Sequence, residues 1–283
     1  MLILPSVWAE GLAETAQRLP QEELNAPDAL DRLRAEAQLS EPLQRLAALA
    51  RGVLDEQGFV QIRGFPSEPA SSLFPALGSL IGTLFVDPGI GTAIINAHVR
   101  PCEKLMGNQL RSLPMHTDYS MFAEPPRFTM SCCVTPDPIP DWGALMVADV
   151  EAICFGVERD PQIEAFHTVS LPFAAGNAQS GVDLFESPII SRDATGELLV
   201  RYHRTRIVHG FRAKAASATS RQAATMLAFE RFVKASAETL HPLGGDVTII
   251  NNRRTVHSRS RCSVEIDVAG TTRGRQMQFI FAY

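Results

Sequence analysis

The pattern of apolar and polar positions is helical early in the chain and strand-like later. From Ser40, SEPLQRLAALARGVLDEQG places Leu43, Leu46, Ala47, Ala50 and Leu54 at three- and four-residue intervals, the spacing of one helical face. Ser40 is suited to begin that helix and Gly58 to stop it. FVQIRGF follows with a period of two, Phe59, Gln61 and Arg63 alternating with Val60 and Ile62, which predicts a short strand. PASSLFPALGSLIGTLF predicts a second helix despite its internal proline. Residues 1–37 are mixed in character and punctuated by proline, and read as an N-terminal arm.

Beyond that point strands dominate. DPGIGTAIINAHVRPCEKLMGNQLRSLP has weak periodicity and reads as strands and loop. In RFTMSCCVT, Phe128, Met130, Cys132 and Val134 alternate with Thr129, Ser131 and Cys133, the signature of a strand with one apolar face. PDPIPDWG turns the chain and ALMVADV resumes the strand. EAICFGVERDPQIEAF is predicted helical with a break near Pro161, and HTVSLPF, ELLVRYHRTRIV and GDVTIINN are predicted strands. Between the last two lies the longest clear helix, SRQAATMLAFERFVKASAETL, offering Ala223, Met226, Leu227, Phe229 and Phe232 for packing. In the terminal RQMQFIFAY, Arg275, Met277, Phe279 and Phe281 share one face.

Helices before many short strands, with one more inserted late, predict an α+β protein whose closed or sandwiched β core is buttressed by helices. No linker-like stretch separates two cores, so residues 1–283 are expected to form a single domain.

Composition narrows the function. With 283 residues, 45% hydrophobic and 20% charged, the chain can bury a large core. A net charge of −5 and a pI near 5.8 lack the basic face of a nucleic-acid binder. No apolar run approaches the roughly 18 residues of a membrane span. The short apolar start, MLILPSVWAEGL, has neither a basic leader nor a small-residue cleavage site and does not read as a signal peptide. The 5 cysteines are scattered without a CxxC, which reads as reduced thiols in the cytoplasm rather than a disulfide framework or zinc site.

The candidate chemistry lies in three places. In PMHTDYSMFAEPPRF, His116 and Asp118 are two apart, so in an extended segment both point the same way. Imidazole plus carboxylate suits Fe(II), with a second histidine completing a facial triad. Alone, an HxD more often belongs to a solvated turn. In LGGDVTIINNRRTVHSRS, His257 follows a strand on a polar loop, where it reads as a ligand or as a surface histidine. Arg275 begins the apolar face of the last strand. There a guanidinium needs an anion, or reaches water from the strand's edge, and Arg273 competes for the same role.

Taken in order, these segments resemble the Fe(II)/2-oxoglutarate-dependent dioxygenases of the taurine dioxygenase and clavaminate synthase (TauD/TfdA-like) superfamily. LDEQGFVQIRGFP is similar to that family's helix-to-strand entry, and MHTDYSMFAEPPRFTMSCCVTP to its HT(D/E) segment followed by paired prolines, Pro125 and Pro126. WGALMVADV occupies the place of a Gly-Gly turn and strand, and LGGDVTIINNRRTVHSRS that of the distal-histidine segment. The resemblance covers residues 40–283.

It implies a double-stranded β-helix (jelly-roll) core with flanking α-helices. It implies His116, Asp118 and His257 as iron ligands and Arg275 as the partner of the 2-oxoglutarate distal carboxylate, with Arg273 as the alternative. The implied reaction hydroxylates or desaturates an unactivated C–H of a small molecule, an amino acid or other small carboxylate of specialised metabolism, using Fe(II), 2-oxoglutarate and O2. Halogenating relatives lack the carboxylate that Asp118 supplies.

Two features depart from the family. Gly143, Ala144 and Leu145 carry no hydroxyl where many relatives place a threonine against 2-oxoglutarate, and the span from His257 to Arg275 is long. A jelly-roll metalloenzyme that does not use 2-oxoglutarate, or a non-catalytic small-molecule-binding jelly roll, therefore stands as an alternative. Candidate substrate contacts are Tyr119 and Ser120, Asn108 and Gln109, and Arg204 and Arg206, the arginines suiting a carboxylate. His98, His203 and His209 have no partner at metal spacing and read as structural.

Overall fold

A computed structural model describes residues 1–20, 24–66, 72–154, 160–176 and 184–283. The helices are α1 (Ser6–Arg18), α2 (Pro27–Gln38), α3 (Glu41–Gln57), α4 (Leu73–Ile81), α5 (Val150–Cys154), α6 (Pro161–Thr168), α7 (Arg204–Ala213) and α8 (Ser220–Ala235). The strands begin with β1 (Leu2–Ile3), β2 (Phe59–Arg63), β3 (Ile95–His98), β4 (Leu113–His116), β5 (Phe128–Thr135) and β6 (Leu145–Asp149). Short strands follow: β7 (Leu171–Phe173), β8 (Phe185–Ser187), β9 (Ile190–Arg192), β10 (Leu198–Val200) and β11 (Glu238–Leu240). The chain closes with β12 (Val247–Asn251), β13 (Thr255–Arg259), β14 (Val264–Ile266), β15 (Thr272–Gly274) and β16 (Gln276–Ala282).

Two sheets form the double-stranded β-helix. The larger has the order β1-β2-β12-β5-β16-β3 and the smaller β11-β6-β13-β4. Sequence-distant strands pair, β5 with both β12 and β16, so each sheet is built from crossovers. Alternation assigns the faces. Val60, Ile62, Val247, Ile249, Met130, Cys132 and Ile280 form one core with Leu12, Leu33, Leu43, Leu46 and Leu54 of the first three helices. Ala148, Val150 and Val256 pack beneath α6 and α8 with Phe166 and Phe229 in a second core. The opposite faces look at each other across the barrel. There Phe59, Leu145, Val147 and Ile250 close one region, and Ala97, Cys133 and Met277 another.

Helix α3 begins after Ser40 and ends at Gly58, whose φ of 75° is the left-handed value that favours glycine. Ser40 caps nothing with its side chain; its hydroxyl bonds that of Thr15. Residues 1–37 differ from the expected arm. They hold β1, α1 and α2, and Leu12 and Leu33 are fully buried, because an apolar face every three to four residues survives between the prolines. The helix expected over PASSLFPALGSLIGTLF spans Leu73–Ile81, and Pro75 lies in its first turn, where no intrahelical N–H is required. Pro69, Ala70 and Ser71 of that stretch, and Phe155 to Arg159 of the next expected helix, fall outside the described residues.

ELLVRYHRTRIV, expected as one strand, divides: β10 ends at Val200 and α7 starts at Arg204. Ile207 and Gly210, three apart, are the positions α7 buries, a helical spacing hidden in a short run of mixed polarity. HTVSLPF divides likewise, its first two residues ending α6. Helix α8 buries Met226 and Phe229 as expected, but Leu227 is 53% exposed and the burial is taken by Thr225, Ala228 and Val233. No helix among the described residues is long and apolar enough to cross a membrane.

Candidate metal centre

The register of the smaller sheet brings the two distant sequence segments together. His257 on β13 lies directly opposite His116 on β4, so both imidazoles project from one face into the barrel. Their ring centroids are 4.4 Å apart. Asp118, two residues past His116, reaches both: its Oδ1 is 3.6 Å from His116 Nε2 and its Oδ2 is 3.3 Å from His257 Nε2. One ligand atom from each of the three residues falls within 4.8 Å of the others, a set that could hold one ion.

Neighbouring groups fix each member. His116 Nδ1 lies 2.9 Å from the Pro114 carbonyl, so it carries the proton and leaves Nε2 with its lone pair toward the centre. Thr129 Oγ1 donates to Asp118 Oδ2 at 2.8 Å. Asn252, fully buried, clamps the Asp118 backbone: its Oδ1 accepts from Asp118 N at 2.8 Å and its Nδ2 donates to Asp118 O at 3.0 Å. The same Nδ2 donates to Pro126 O, and Arg253 reaches Pro125 O, so the paired prolines are tied to the turn that precedes His257. His257 Nδ1 is buried without a partner among the described residues.

Burial pushes the Asp118 carboxyl up, but the charge of His257 and hydrogen bonds from both histidines hold it well below the usual carboxylate range. Burial, with His116 adding to it, pushes His257 down. Metal binding needs the Asp118 carboxylate ionised, and that is the direction in which the two histidines shift it.

Arg275 is 6% exposed and sits between the sheets, facing Gly143. It forms no ion pair with a described carboxylate. Gly143 has a φ of +66°, and a Cβ there would stand 2.7 Å from Arg275 Cδ, so glycine both makes the turn and lets the arginine pass. Arg273 instead lies exposed on the β14–β15 hairpin, opposite Glu265. Gly143, Ala144 and Leu145 place no hydroxyl against Arg275; burial pushes its guanidinium pKa down, and the buried Cys262 and Cys133 oppose that shift.

The remaining candidates separate. Tyr119, at φ 51°, donates its hydroxyl to Asp87 and packs edge-on against Phe85 and Phe281. Ser120 is fully buried and its Oγ has no partner among the described residues. Asn108 lies in a 3-10 turn, its carbonyl accepting from Arg100 N, and Gln109 bonds the backbone of Glu103 and Lys104. Arg204 turns outward into a two-pronged pair with Glu230, at 2.8 and 2.7 Å. Arg206 is half-buried.

Three residues given no role in the sequence belong to this site. Thr129 and Asn252 carried no signal beyond lying near the motifs. His203, read as structural, forms an isolated antiparallel bridge with His116, their rings 5.1 Å apart. Burial, reinforced by the charges of His116 and Arg206, pushes its pKa down to about 3.

The family model described as taurine catabolism dioxygenase TauD, TfdA family matches residues 26–277. No curated protein matches the chain at a significant level. Among solved structures, asparagine oxygenase bound to Fe(II), 2S,3S-3-hydroxyasparagine and succinate is 20% identical, with a TM-score of 0.77 over 99% of this chain and 93% of that one. The non-heme iron oxygenase OrfP bound to Fe and alpha-ketoglutaric acid is 16% identical, with a TM-score of 0.74 over 99% and 92%. The PvcB protein from Pseudomonas aeruginosa is 15% identical, with a TM-score of 0.61 over 84% and 80%. At these identities the likeness carries the fold.

Proposed function

From a chain that belongs to the taurine catabolism dioxygenase TauD, TfdA family, we propose a non-haem Fe(II)- and 2-oxoglutarate-dependent oxygenase that hydroxylates a small molecule, an amino acid or other small carboxylate. The observation that carries this reading is the meeting of His116, Asp118 and His257 in one cluster, with the unpaired guanidinium of Arg275 inside the same barrel. The donor set fits the group: His116, Asp118 and His257 would hold Fe(II) through two imidazoles and one carboxylate. Bound there, Fe(II) with 2-oxoglutarate would supply the oxidising chemistry, O2 and 2-oxoglutarate giving succinate, CO2 and an oxygen atom inserted into a substrate C–H bond.

The chain's own residues do the rest. His116 presents Nε2 because Pro114 holds the proton on Nδ1. Thr129 orients the Asp118 carboxylate and Asn252 fixes its backbone. Arg275 would donate charge-assisted hydrogen bonds to the distal carboxylate of the cosubstrate, and the apolar walls around Val147 and Met277 would exclude water. The whole chain is taken as one catalytic domain, acting in the cytoplasm, on the support of its scattered free thiols.

Support for an amino-acid substrate comes from asparagine oxygenase and from OrfP, whose structures hold 3-hydroxyasparagine and hydroxy-arginine. The test is O2-dependent succinate release in the presence of a panel of amino acids and small carboxylates. Release stimulated above the uncoupled background supports the reading, and His116→Ala abolishes it. Full turnover in His116→Ala refutes the ligand assignment.

A further inference from the structure

One wall of the site holds polar groups that the reaction as described leaves unused. The segment running into α7 lies antiparallel to the end of β4: Thr117 N donates to Tyr202 O at 2.7 Å, and His203 bridges His116. Directly opposed residues share a face, so the His203 imidazole enters the barrel beside the His116 ring. His203 is 7% exposed, and its Nδ1 is buried without a partner among the described residues. Leaving such a group unpaired is unfavourable unless a ligand satisfies it.

His203 is also the residue that begins α7, and its side chain makes no capping bond. The first-turn N–H groups of Arg204, Thr205 and Arg206 have no intrahelical acceptor, so the positive end of a 10-residue helix starts next to a metal ligand. Arg206 stands three residues on, on the same side of the first turn as His203. It is half-buried and its side chain makes no hydrogen bond or ion pair with a described residue, whereas Arg204 is committed to Glu230. The placement agrees with electrostatics: after burial, the Arg206 charge contributes to the depressed pKa of both His203 and His209.

An unpaired imidazole, an unpaired guanidinium and a helix N-terminus converging beside a metal centre suit an anion. A planar carboxylate matches them, accepting from backbone N–H groups and from Arg206 together. We propose that the N-terminus of α7, with His203 and Arg206, docks a carboxylate of the primary substrate, at a place distinct from Arg275, which takes the cosubstrate. The proposal rests on the 2-oxoglutarate oxygenase reading. Because His203 touches the His116 ring, the carbon oxidised lies within a few bonds of that carboxylate.

The test uses the full chain loaded with Fe(II) and 2-oxoglutarate. Succinate release is measured with each of the twenty proteinogenic L-amino acids and with the C-terminal amide of every one that responds. The expected result is stimulation by at least one free acid, with its amide at least 10-fold weaker in KM. Arg206→Met should raise KM for the acid at least 10-fold, bring acid and amide to similar values, and leave KM for 2-oxoglutarate unchanged. Arg206→Lys should restore part of the loss, and His203→Gln should weaken the acid selectively. Failure of every free acid to stimulate release, equal handling of acid and amide by the unmodified protein, or an unchanged KM in Arg206→Met overturns the proposal. Failure of the underlying reading is seen separately, as no visible charge-transfer band when 2-oxoglutarate is added to the iron-loaded protein without oxygen.

Discussion

Asn252→Ala probes the support beneath the metal centre without touching a ligand. The side chain is fully buried and makes three hydrogen bonds, to Asp118 N at 2.8 Å and to the carbonyls of Asp118 and Pro126 at 3.0 Å each. Neutral hydrogen bonds contribute about 1 kcal/mol each, so their loss corresponds to about 3 kcal/mol, with the Asp118 N–H left buried and unpaired. Domains have about 5–15 kcal/mol of stability, so the variant should stay folded but weakened. Without the clamp, Asp118 loses its fixed backbone, and outer-shell losses of this kind weaken metal binding by about 10- to 100-fold. Urea unfolding of iron-free protein reads the first effect, and an Fe(II) titration followed by turnover reads the second. Asn252→Asp keeps the acceptor for Asp118 N but loses both donated bonds, and should also lose affinity. A folded Asn252→Ala protein within about 0.5 kcal/mol of the unmodified one, the spread of neutral surface changes, with unchanged Fe(II) affinity, would refute the clamp.

Other perturbations follow from the same geometry. Arg275→Met should raise KM for 2-oxoglutarate by about 100-fold or more, the equivalent of one strong charge-assisted pair, while Arg273→Ala leaves it within about twofold. Gly143→Ala forces a left-handed backbone costing about 1–2 kcal/mol and pushes on the Arg275 stem, so KM for 2-oxoglutarate rises while Fe(II) affinity holds. Arg204→Met should cost no more than about 1 kcal/mol in unfolding and leave all KM values unchanged, because its pair with Glu230 is partly exposed and turned away from the site. A substrate KM that rises in Arg204→Met contradicts that placement.

The parts of this molecule legible in its sequence are those where one local pattern has one structural meaning. Leu43, Leu46, Ala47, Ala50 and Leu54 specify a helix face, and all five are buried. Thr129, Ser131 and Cys133 alternate with Met130 and Cys132, and the strand does separate them between barrel interior and outer core. The ligand set was legible only through the order of several weak motifs. HxD has the right period to aim two groups one way, but the partner of His116 is fixed by a register between strands some 140 residues apart in the chain, which no local pattern encodes.

The misreadings share a physical cause. RTRIV alternates like a strand, yet Ile207 and Gly210 are spaced for a helix, and tertiary packing against β7 decides between them. That same boundary set His203 beside His116 rather than in a distant core. Thr129 acts through one hydrogen bond to Asp118 and Asn252 through two, and an isolated threonine or asparagine carries no periodicity by which to be noticed.

The central claim is that His116, Asp118 and His257 hold Fe(II) and that Arg275 brings 2-oxoglutarate to it. Anaerobic addition of Fe(II) and then 2-oxoglutarate to the full chain tests this most directly. A visible metal-to-ligand charge-transfer band should form in the unmodified protein, fail to form in His257→Ala, and require far more 2-oxoglutarate in Arg275→Met. Folded, iron-loaded protein that develops no band at saturating 2-oxoglutarate would contradict the claim.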